Sequence, residues 1–316
     1  MRDAFVQALT ALAEIDGRII LLTADLGFGV LTEFATRFPE QFLNVGVAEQ
    51  NMTGVAAGLA IEGRIVFTYS IANFPTLRCL EQIRNDVCYH DANVKIVSIG
   101  GGMSYGALGM SHHATEDIAI LRTFPNMTVV SPGDRWETME ATKVLAKRPG
   151  PAYLRLDKSA APDAPRAGEL FDLNRARKIR EGYDVTLATT GGILGEAVEA
   201  ERTLSAKGIS CRVLSIHTVK PLDVDALAAA ARETGGIISI EEHTVDGGLG
   251  SAIAENLLER GVIPGFFRRM GLRSGFPGVG SQEYLRRQYG LNSQAIVDLT
   301  TSLLRSGQRT EEAVGA

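Results

Sequence analysis

A glutamate and a histidine are the two side chains of this sequence best suited to acid–base chemistry. Glu49 lies in NVGVAEQNMTGVAAGLAIEG, where an apolar strand end meets a helix rich in small residues. A carboxyl held away from water takes up a proton more readily and can share it with a ring nitrogen. His112 lies in the glycine-rich segment YGALGMSHHATEDIAILR, and an imidazole titrates near working pH. Each residue also has a non-catalytic interpretation. Glu49 fits the first turn of a helix, where a carboxylate complements the helix dipole, and His112 fits an ordinary surface loop.

Short β-branched runs alternate with amphipathic stretches in the first half of the chain, which predicts a mostly parallel sheet flanked by helices. The amino terminus, MRDAFVQALTALAEIDGR, is predicted to form the first helix, and further helices are predicted near 48–61, 77–89 and 135–146. The predicted strands are RIILLT, RIVFTYS, VKIVSIG, MTVVSP and PAYLRL. Glu49 and His112 therefore belong to one α/β domain.

The same pattern restarts after an aperiodic, proline-containing stretch, KSAAPDAPRAGELFDLNRAR. DVTLATTGG, ISCRVLSIH and GGIISIEEH are predicted strands of a second sheet, with helices beginning near Ile193, Asp223 and Leu249. We therefore predict a domain over 1–160, a linker over 161–180 and a second α/β domain over 181–316.

Composition restricts the class of protein. A chain of 316 residues with 45% hydrophobic and 22% charged residues is typical of a soluble globular protein. Its net charge of −5, without a dense basic run, argues against nucleic acid as the main partner. No signal peptide and no apolar run long enough for a membrane span are evident. The three cysteines have no metal-site spacing, so we expect reduced thiols in a cytoplasmic protein.

Two blocks carry a family resemblance. The Glu49 segment, with TADLG before it and GLAIEG at its end, resembles the AEQ or REH block of transketolases, deoxyxylulose-phosphate synthases and the beta subunits of 2-oxo acid dehydrogenases. The His112 segment is similar to the G-x-D-G-x-T-H motif of the first two families, which the dehydrogenase subunits lack. The resemblance implies that Glu49 contacts N1′ of the aminopyrimidine ring of thiamine diphosphate. It also implies that His112 handles protons beside the reacting carbon.

The resemblance implies roles for five further residues. Phe74 and Tyr69, in YSIANFPTLRCLEQIRNDVCYH, match aromatic residues that stack on the aminopyrimidine, although both can equally fill the core. Arg78 matches an arginine that contacts anionic substrate, with a helix-surface position as the alternative. Arg155, in PAYLRLDK, matches an arginine that binds a substrate phosphate through its planar donors. Asp25, in TADLG, matches an aspartate that lies near the thiamine in transketolases. The alternative is a capping or turn role for Asp25.

The chain departs from the family pattern at its substrate contacts. Gly100 stands where transketolases have a histidine that binds sugar phosphate, and Leu108 replaces the aspartate of the G-x-D-G motif. Transketolases also place an arginine and a serine between the block that TADLG resembles and the block that the Glu49 segment resembles. We find no clear counterpart of either in LGFGVLTEFATRFPEQ. The identity of the substrate is therefore left open, including whether it is phosphorylated, otherwise anionic or neutral.

A motif that the chain lacks predicts a partner. Thiamine enzymes hold the diphosphate through Mg²⁺ bound by a G-D-G motif and a downstream Asn, and the sequence contains no such motif. We therefore expect a separate diphosphate-binding subunit that binds the Mg²⁺ mainly through its own residues. The two kinds of chain would form an α2β2 heterotetramer. The predicted activity is transfer of a two-carbon ketol unit from a ketose to an aldehyde in carbohydrate metabolism. The alternatives are a deoxyxylulose-phosphate-synthase-like reaction, a 2-oxo acid dehydrogenase beta-type subunit and a catalytically silent regulatory subunit.

Overall fold

The computed structural model describes residues 1–163, 168–273 and 275–314, with the backbone alone over 306–314. In chain order its strands are β1 (Ile19–Thr23), β2 (Phe42–Asn44), β3 (Ile65–Ile71), β4 (Val94–Ile99), β5 (Thr128–Val130), β6 (Ala152–Leu156), β7 (Arg177–Arg180), β8 (Val185–Thr190), β9 (Cys211–Ser215), β10 (Thr218–Lys220), β11 (Ile237–Thr244) and β12 (Phe267–Leu272).

Helices cover the faces of the sheets. They are α1 (Arg2–Ala13), α2 (Thr32–Arg37), α3 (Glu49–Ile61), α4 (Leu80–Gln82), α5 (Asp117–Leu121), α6 (Arg135–Lys147), α7 (Leu194–Ser205), α8 (Val224–Glu233), α9 (Leu249–Glu259), α10 (Gln282–Gln288) and α11 (Ser293–Val314). None of the described helices is both long enough and apolar enough to cross a bilayer. All three cysteines are free and buried.

The first sheet has seven strands in the order β10-β5-β6-β4-β3-β1-β2, and its pairs are parallel except for β10 with β5. Both faces of this sheet are buried. In β1, Ile19 and Leu21 pack with α1 and α6, whereas Ile20 and Leu22 pack with α3 on the opposite face. Successive side chains of a strand point to opposite faces, so a strand covered on both sides is apolar throughout.

The second sheet has five strands in the order β12-β11-β8-β9-β7, parallel except for β7 with β9. The prediction of two domains, each with a mostly parallel sheet flanked by helices, is confirmed. β7 lies in the segment expected to be a linker; it is a short, charged edge strand, so it shows little hydrophobic period. Residues 164–167 of that expected linker lie outside the described residues.

Two features of the fold were not predicted. β10, which follows the second domain's β9, pairs with β5 and extends the first sheet. The helix expected near 77–89 is irregular: a 3₁₀ turn over Leu77–Cys79 leads through α4 into a π-helix over Ile83–Cys88. Its 3₁₀ start places Arg78 beside the carboxyl end of β3.

A buried lysine makes the stability of the first domain depend on pH. Lys95 lies in the central strand β4 with no exposed surface, and its Nζ donates to the carbonyl oxygens of Arg148 and Gly150. Burial, with a contribution from the nearby Arg148 cation, lowers the pKa of Lys95 from 10.5 to about 7. Between these two values the unfolded chain binds a proton that the folded chain does not, so stability rises with pH there.

We therefore expect the free energy of unfolding to rise more steeply from pH 7 to pH 9 in the wild type than in Lys95→Met, as measured by urea unfolding. Lys147→Met removes an exposed lysine near the end of α6 and should keep the wild-type slope. Equal slopes for wild type and Lys95→Met would show that Lys95 does not titrate in this range.

Candidate functional site

The loops after four neighbouring strands bring candidate residues to one edge of the first sheet. Asp25 follows β1, Glu49 follows β2, Phe74 follows β3 and His112 follows β4. These strands are mutually parallel, so their carboxyl ends meet at the same edge. In open α/β sheets this edge is where ligands bind.

Glu49 is the first residue of α3, and its side chain is only 3% exposed. Helix α3 approaches the sheet closely because its buried positions are occupied mainly by small residues, Ala56, Ala57 and Ala60. The Oε2 atom of Glu49 accepts a hydrogen bond of 2.9 Å from Nη1 of Arg78. A buried carboxylate thus points toward a partner whose own side chain is 47% exposed.

Phe74 and His112 lie next to the ion pair of Glu49 and Arg78. The Cζ atom of Arg78 lies 4.5 Å from the centroid of the Phe74 ring, so the guanidinium covers that ring. The Phe74 ring meets the His112 ring edge-on at a centroid distance of 5.2 Å. Ser111 Oγ lies 2.9 Å from His112 Nδ1, which orients the imidazole. Glu49, Phe74, Arg78 and His112 therefore form one contiguous group, named here the Glu49 cluster.

The neighbouring histidine has a different environment. His113 is almost fully buried, whereas His112 is half-buried. Burial lowers the pKa of His113, so its imidazole is neutral near pH 7. His112 is thus the histidine of this pair that is able to exchange protons with a ligand in the opening.

Two of the expected ligand-binding residues lie apart from the Glu49 cluster. Tyr69 lies on the face of the sheet that packs against α1, opposite the face that packs against α3. Its ring stacks on Phe5 of α1, with ring centroids 6.1 Å apart. Burial raises the pKa of Tyr69, and this core position does not fit the expected stacking on a ligand ring. Asp25 adopts a left-handed backbone with φ 54°, and its Oδ1 accepts a hydrogen bond of 3.1 Å from Asn44. The observed contacts of Asp25 thus stabilise the turn after β1.

Arg155 is buried and bound to acceptors of the protein itself. Its side chain is 1% exposed, and its Nε and Nη1 atoms bind Asp117 and Asp157 at 2.9 and 3.3 Å. Its Nη2 donates to the carbonyl oxygens of Ala114 and Glu242 at 3.0 and 2.9 Å. Burial alone would lower the pKa of Arg155, but the two carboxylates raise it above its ordinary value. Because these donors are bound to protein oxygens, the observed contacts of Arg155 are structural, and its expected contact with a substrate phosphate stays a prediction.

The structure adds two residues to the opening that the sequence analysis did not select. The Tyr105 ring lies 6.2 Å from the His112 ring and fills the space beside Gly100, where a Cβ atom would come within 2.2 Å of it. Lys158 Nζ lies 3.8 Å from the centroid of the Tyr105 ring. The replacement of the expected histidine by Gly100 is the one sequence signal from which this side of the opening could have been identified.

Metal ligands were not expected in this chain. Within residues 1–163, 168–273 and 275–314, no group of three or more His, Cys, Asp or Glu side chains is arranged to hold a metal ion. The side chains of the Glu49 cluster can exchange protons at a carboxylate and an imidazole, beside a flat apolar ring.

Family models match nearly the whole chain. The model described as transketolase, pyrimidine binding domain, matches residues 1–163. The model described as transketolase, C-terminal domain, matches residues 174–296. These two matches contain the first and the second sheet respectively, except for β10.

Two curated transketolase subunits match over most of their own length. The chain is 39% identical over 297 residues to an apulose-4-phosphate transketolase subunit of Phocaeicola vulgatus, covering 93% of this chain and 94% of that protein. It is 39% identical over 298 residues to the 6-deoxy-6-sulfo-D-fructose transketolase subunit of a Clostridium species, covering 94% and 92%. It is also 34% identical to the 1-deoxy-D-xylulose-5-phosphate synthase of Desulforudis audaxviator, covering 98% of this chain but 49% of that enzyme.

Solved structures show the same fold. A split gene transketolase described as an inactive β4 tetramer superposes with a TM-score of 0.86 at 39% identity, covering 96% of this chain and 97% of that chain. The transketolase of Leishmania mexicana superposes with a TM-score of 0.81 at 22% identity, covering 96% of this chain and 45% of that chain. At that identity the second match concerns the fold alone.

The structural role of Arg155 predicts a large stability effect. Arg155→Met leaves the buried carboxylates of Asp117 and Asp157 without their cation, and we expect a loss of about 3–5 kcal/mol in the free energy of unfolding, measured by urea unfolding. Arg180→Met, which removes an arginine with a 46% exposed side chain, should cost less than about 1 kcal/mol. A loss as small as that of the control would mean that the buried network does not depend on Arg155.

Proposed function

The chain belongs to the transketolase family, and we propose that it is the pyrimidine-binding subunit of a split, thiamine diphosphate-dependent transketolase that transfers a two-carbon ketol unit from a ketose to an aldehyde. The observation that carries this proposal is the buried Glu49 carboxylate, which reaches the opening beside Phe74 and His112. The relatives named as transketolase subunits, which match over 92–94% of their length, support the split form.

The Glu49 cluster fits the aminopyrimidine half of thiamine diphosphate. In the proposed complex, Glu49 would share a proton with N1′ of that ring, and the Phe74 ring would stack on its face. Bound thiamine diphosphate supplies the carbon nucleophile that accepts and releases the two-carbon unit. His112, half-buried at the same opening, would take and return protons at the hydroxyl and carbonyl oxygens of the sugar.

Arg78 makes the two contacts that the aminopyrimidine ring would make. Its planar guanidinium donates to the Glu49 carboxylate at 2.9 Å and covers the Phe74 ring at 4.5 Å. We propose that Arg78 occupies the place of this ring until the cofactor binds, and then moves outward. Because its side chain is 47% exposed, it has room to do so and would then be available for the anionic group of a substrate.

We propose an anionic sugar as the substrate. The relatives are named for apulose-4-phosphate and for 6-deoxy-6-sulfo-D-fructose, which are both anionic. The donors of Arg155 are bound to protein oxygens, whereas Arg78 and Lys158 bring two cations to the opening, on either side of His112. Partial burial and the nearby Arg2 cation lower the pKa of Lys158.

The remaining half of the cofactor site is assigned to a separate subunit. The sequence contains no G-D-G motif with a downstream Asn, so we propose that the partner holds the diphosphate through Mg²⁺. Exposed apolar side chains lie at the same sheet edge as Glu49: Phe28, Val47, Leu108 and Met110. We propose that the partner covers this edge in an α2β2 heterotetramer that acts in the cytoplasm. The description of a similar chain as an inactive β4 tetramer is consistent with this need for a partner.

The cofactor proposal is tested by calorimetric titration of thiamine diphosphate with Mg²⁺ into this chain, alone and mixed with the candidate partner. We expect binding by the mixture only, and a loss of ketol transfer of at least about 100-fold in Glu49→Gln. Glu62→Gln removes an exposed carboxyl at the other end of α3 and should retain activity. Tight metal-dependent binding by this chain alone would contradict the two-subunit arrangement. Product formation from pyruvate with release of CO₂ would favour the synthase-like reaction instead.

The place of Arg78 predicts a gain in affinity. Arg78→Met removes the competing ion pair and ring contact, so the assembled enzyme should bind thiamine diphosphate about three- to tenfold more tightly, as measured by calorimetry. The control Arg84→Met removes an exposed arginine from the same irregular helix and should leave the Kd unchanged. Weaker binding by Arg78→Met would mean that Arg78 contacts the cofactor and does not compete with it.

A further inference from the structure

We propose that Glu242, in the second domain, is a positioning residue that fixes the loop carrying His112. This inference rests on the proposed function, because it concerns the histidine assigned to proton transfer. The His112 loop is defined as residues 100–116, between β4 and α5. Glu242 lies near the end of β11 and is 1% exposed.

The Glu242 carboxylate directly contacts the backbone at the base of this loop. Its Oε1 accepts a hydrogen bond of 2.6 Å from the backbone N–H of Met103. Gly102, with φ 62°, passes so close that a Cβ atom there would lie 2.6 Å from the same oxygen. The left-handed backbone of Gly102 therefore allows the chain to approach the carboxylate. A larger residue at this position would push the loop away from β11.

Both sides of the loop base are bound to β11. Gly102 and Ala114 exchange backbone hydrogen bonds of 2.8 and 2.9 Å, which closes the loop on itself. The backbone N–H of Thr244 donates to the carbonyl oxygen of Thr115 at 2.8 Å. Arg155 joins the Ala114 side of the loop to β11 by donating to the carbonyl oxygens of Ala114 and Glu242. The strand of the second domain thus sets the direction in which the loop leaves the first sheet.

Helix α10 in turn fixes the rotamer of Glu242. Its Oε2 accepts from Arg286 Nε, and Gln282 Nε2 donates to its Oε1 at 2.9 Å. The segment just before α10 also contacts the loop, since Gly280 N–H donates to the carbonyl oxygen of Gly106 at 3.1 Å. The charge of Glu242 is balanced by Arg286, and its oxygens face N–H donors. Beyond this base the loop is more open, with Leu108 and Met110 exposed, so the direction of its tip follows from the base.

Replacing Glu242 by Gln would change the base of the loop without substituting any residue of the Glu49 cluster. The new amide nitrogen would face the Met103 N–H or Arg286, which only donate, and Arg286 would lose its ion pair with Glu242 and keep only Glu196, at 3.4 Å, as a carboxylate partner. An unpaired buried donor and the loss of a buried ion pair both disfavour the observed packing. The loop should therefore loosen at Met103 and Ala114.

A matched control exists at a second ion cluster between the domains. Glu137 is equally buried, its Oε2 accepts a hydrogen bond of 2.7 Å from the Gly133 N–H, and its Oε1 pairs with Arg177 at 3.4 Å. None of its described hydrogen bonds reaches the His112 loop. Glu137→Gln thus reproduces the loss of a buried carboxylate without disturbing the loop.

Two measurements separate positioning from general destabilisation. In the chain alone, hydrogen–deuterium exchange of the amides over 102–115 should accelerate at least about tenfold in Glu242→Gln, and stay at the wild-type rate in Glu137→Gln. In the assembled enzyme, Glu242→Gln should lower kcat for ketol transfer about 10- to 100-fold, with the Kd for thiamine diphosphate within about twofold of wild type.

Unchanged exchange in the loop, or an equal loss of kcat in both variants, would overturn the positioning role. The two proposals fail differently. If the wild-type assembly neither binds thiamine diphosphate nor transfers a ketol unit, the proposed function fails, while the exchange measurement still decides whether Glu242 holds the loop.

Discussion

A buried arginine shared by both domains is the interaction on which the candidate site depends. Arg155 lies near the end of β6, next to β4, and donates four hydrogen bonds: two to carboxylates and two to backbone carbonyls, one carbonyl from each domain. A guanidinium buried this deeply is stable only if its charge is balanced and its hydrogen bonds are satisfied. Meeting that requirement brings α5, the His112 loop and β11 together. The second domain is therefore part of the framework that orients the first domain's histidine.

On the proposed function, the Glu49 cluster is the half of a cofactor site that one sheet edge provides. Strand ends supply a buried carboxylate, a flat ring and an imidazole within contact distance of one another, and the edge beyond them exposes Phe28, Val47, Leu108 and Met110. A carboxylate that is buried yet bonded to a half-exposed arginine is well suited to exchange that partner for a ligand. On the proposed function, the other half of the site arrives with the partner subunit.

Prediction from the sequence succeeded where a single physical pattern dominated. Strands buried on both faces, such as β1 and β4, are largely apolar runs, and helices such as α6 and α8 follow from their periodicity. It failed where the pattern was short or mixed. β2 and β10 have three residues each, β7 is a charged edge strand, and the helix near Arg78 changes pitch from 3₁₀ to π.

By itself, the sequence determined the two α/β domains, the family resemblance and the residue types available for chemistry, because these depend on local pattern and motif. Four of its selected residues, Glu49, Phe74, Arg78 and His112, lie together in the structure, since each follows a strand whose carboxyl end meets the same edge. The tertiary structure alone decided where the other side chains point. The period of two in β3 turns Tyr69 into the core under α1, and long-range pairing with Asp117 and Glu242 withdraws Arg155 from solvent. Motif spacing does not encode such contacts, because they join residues far apart in the chain.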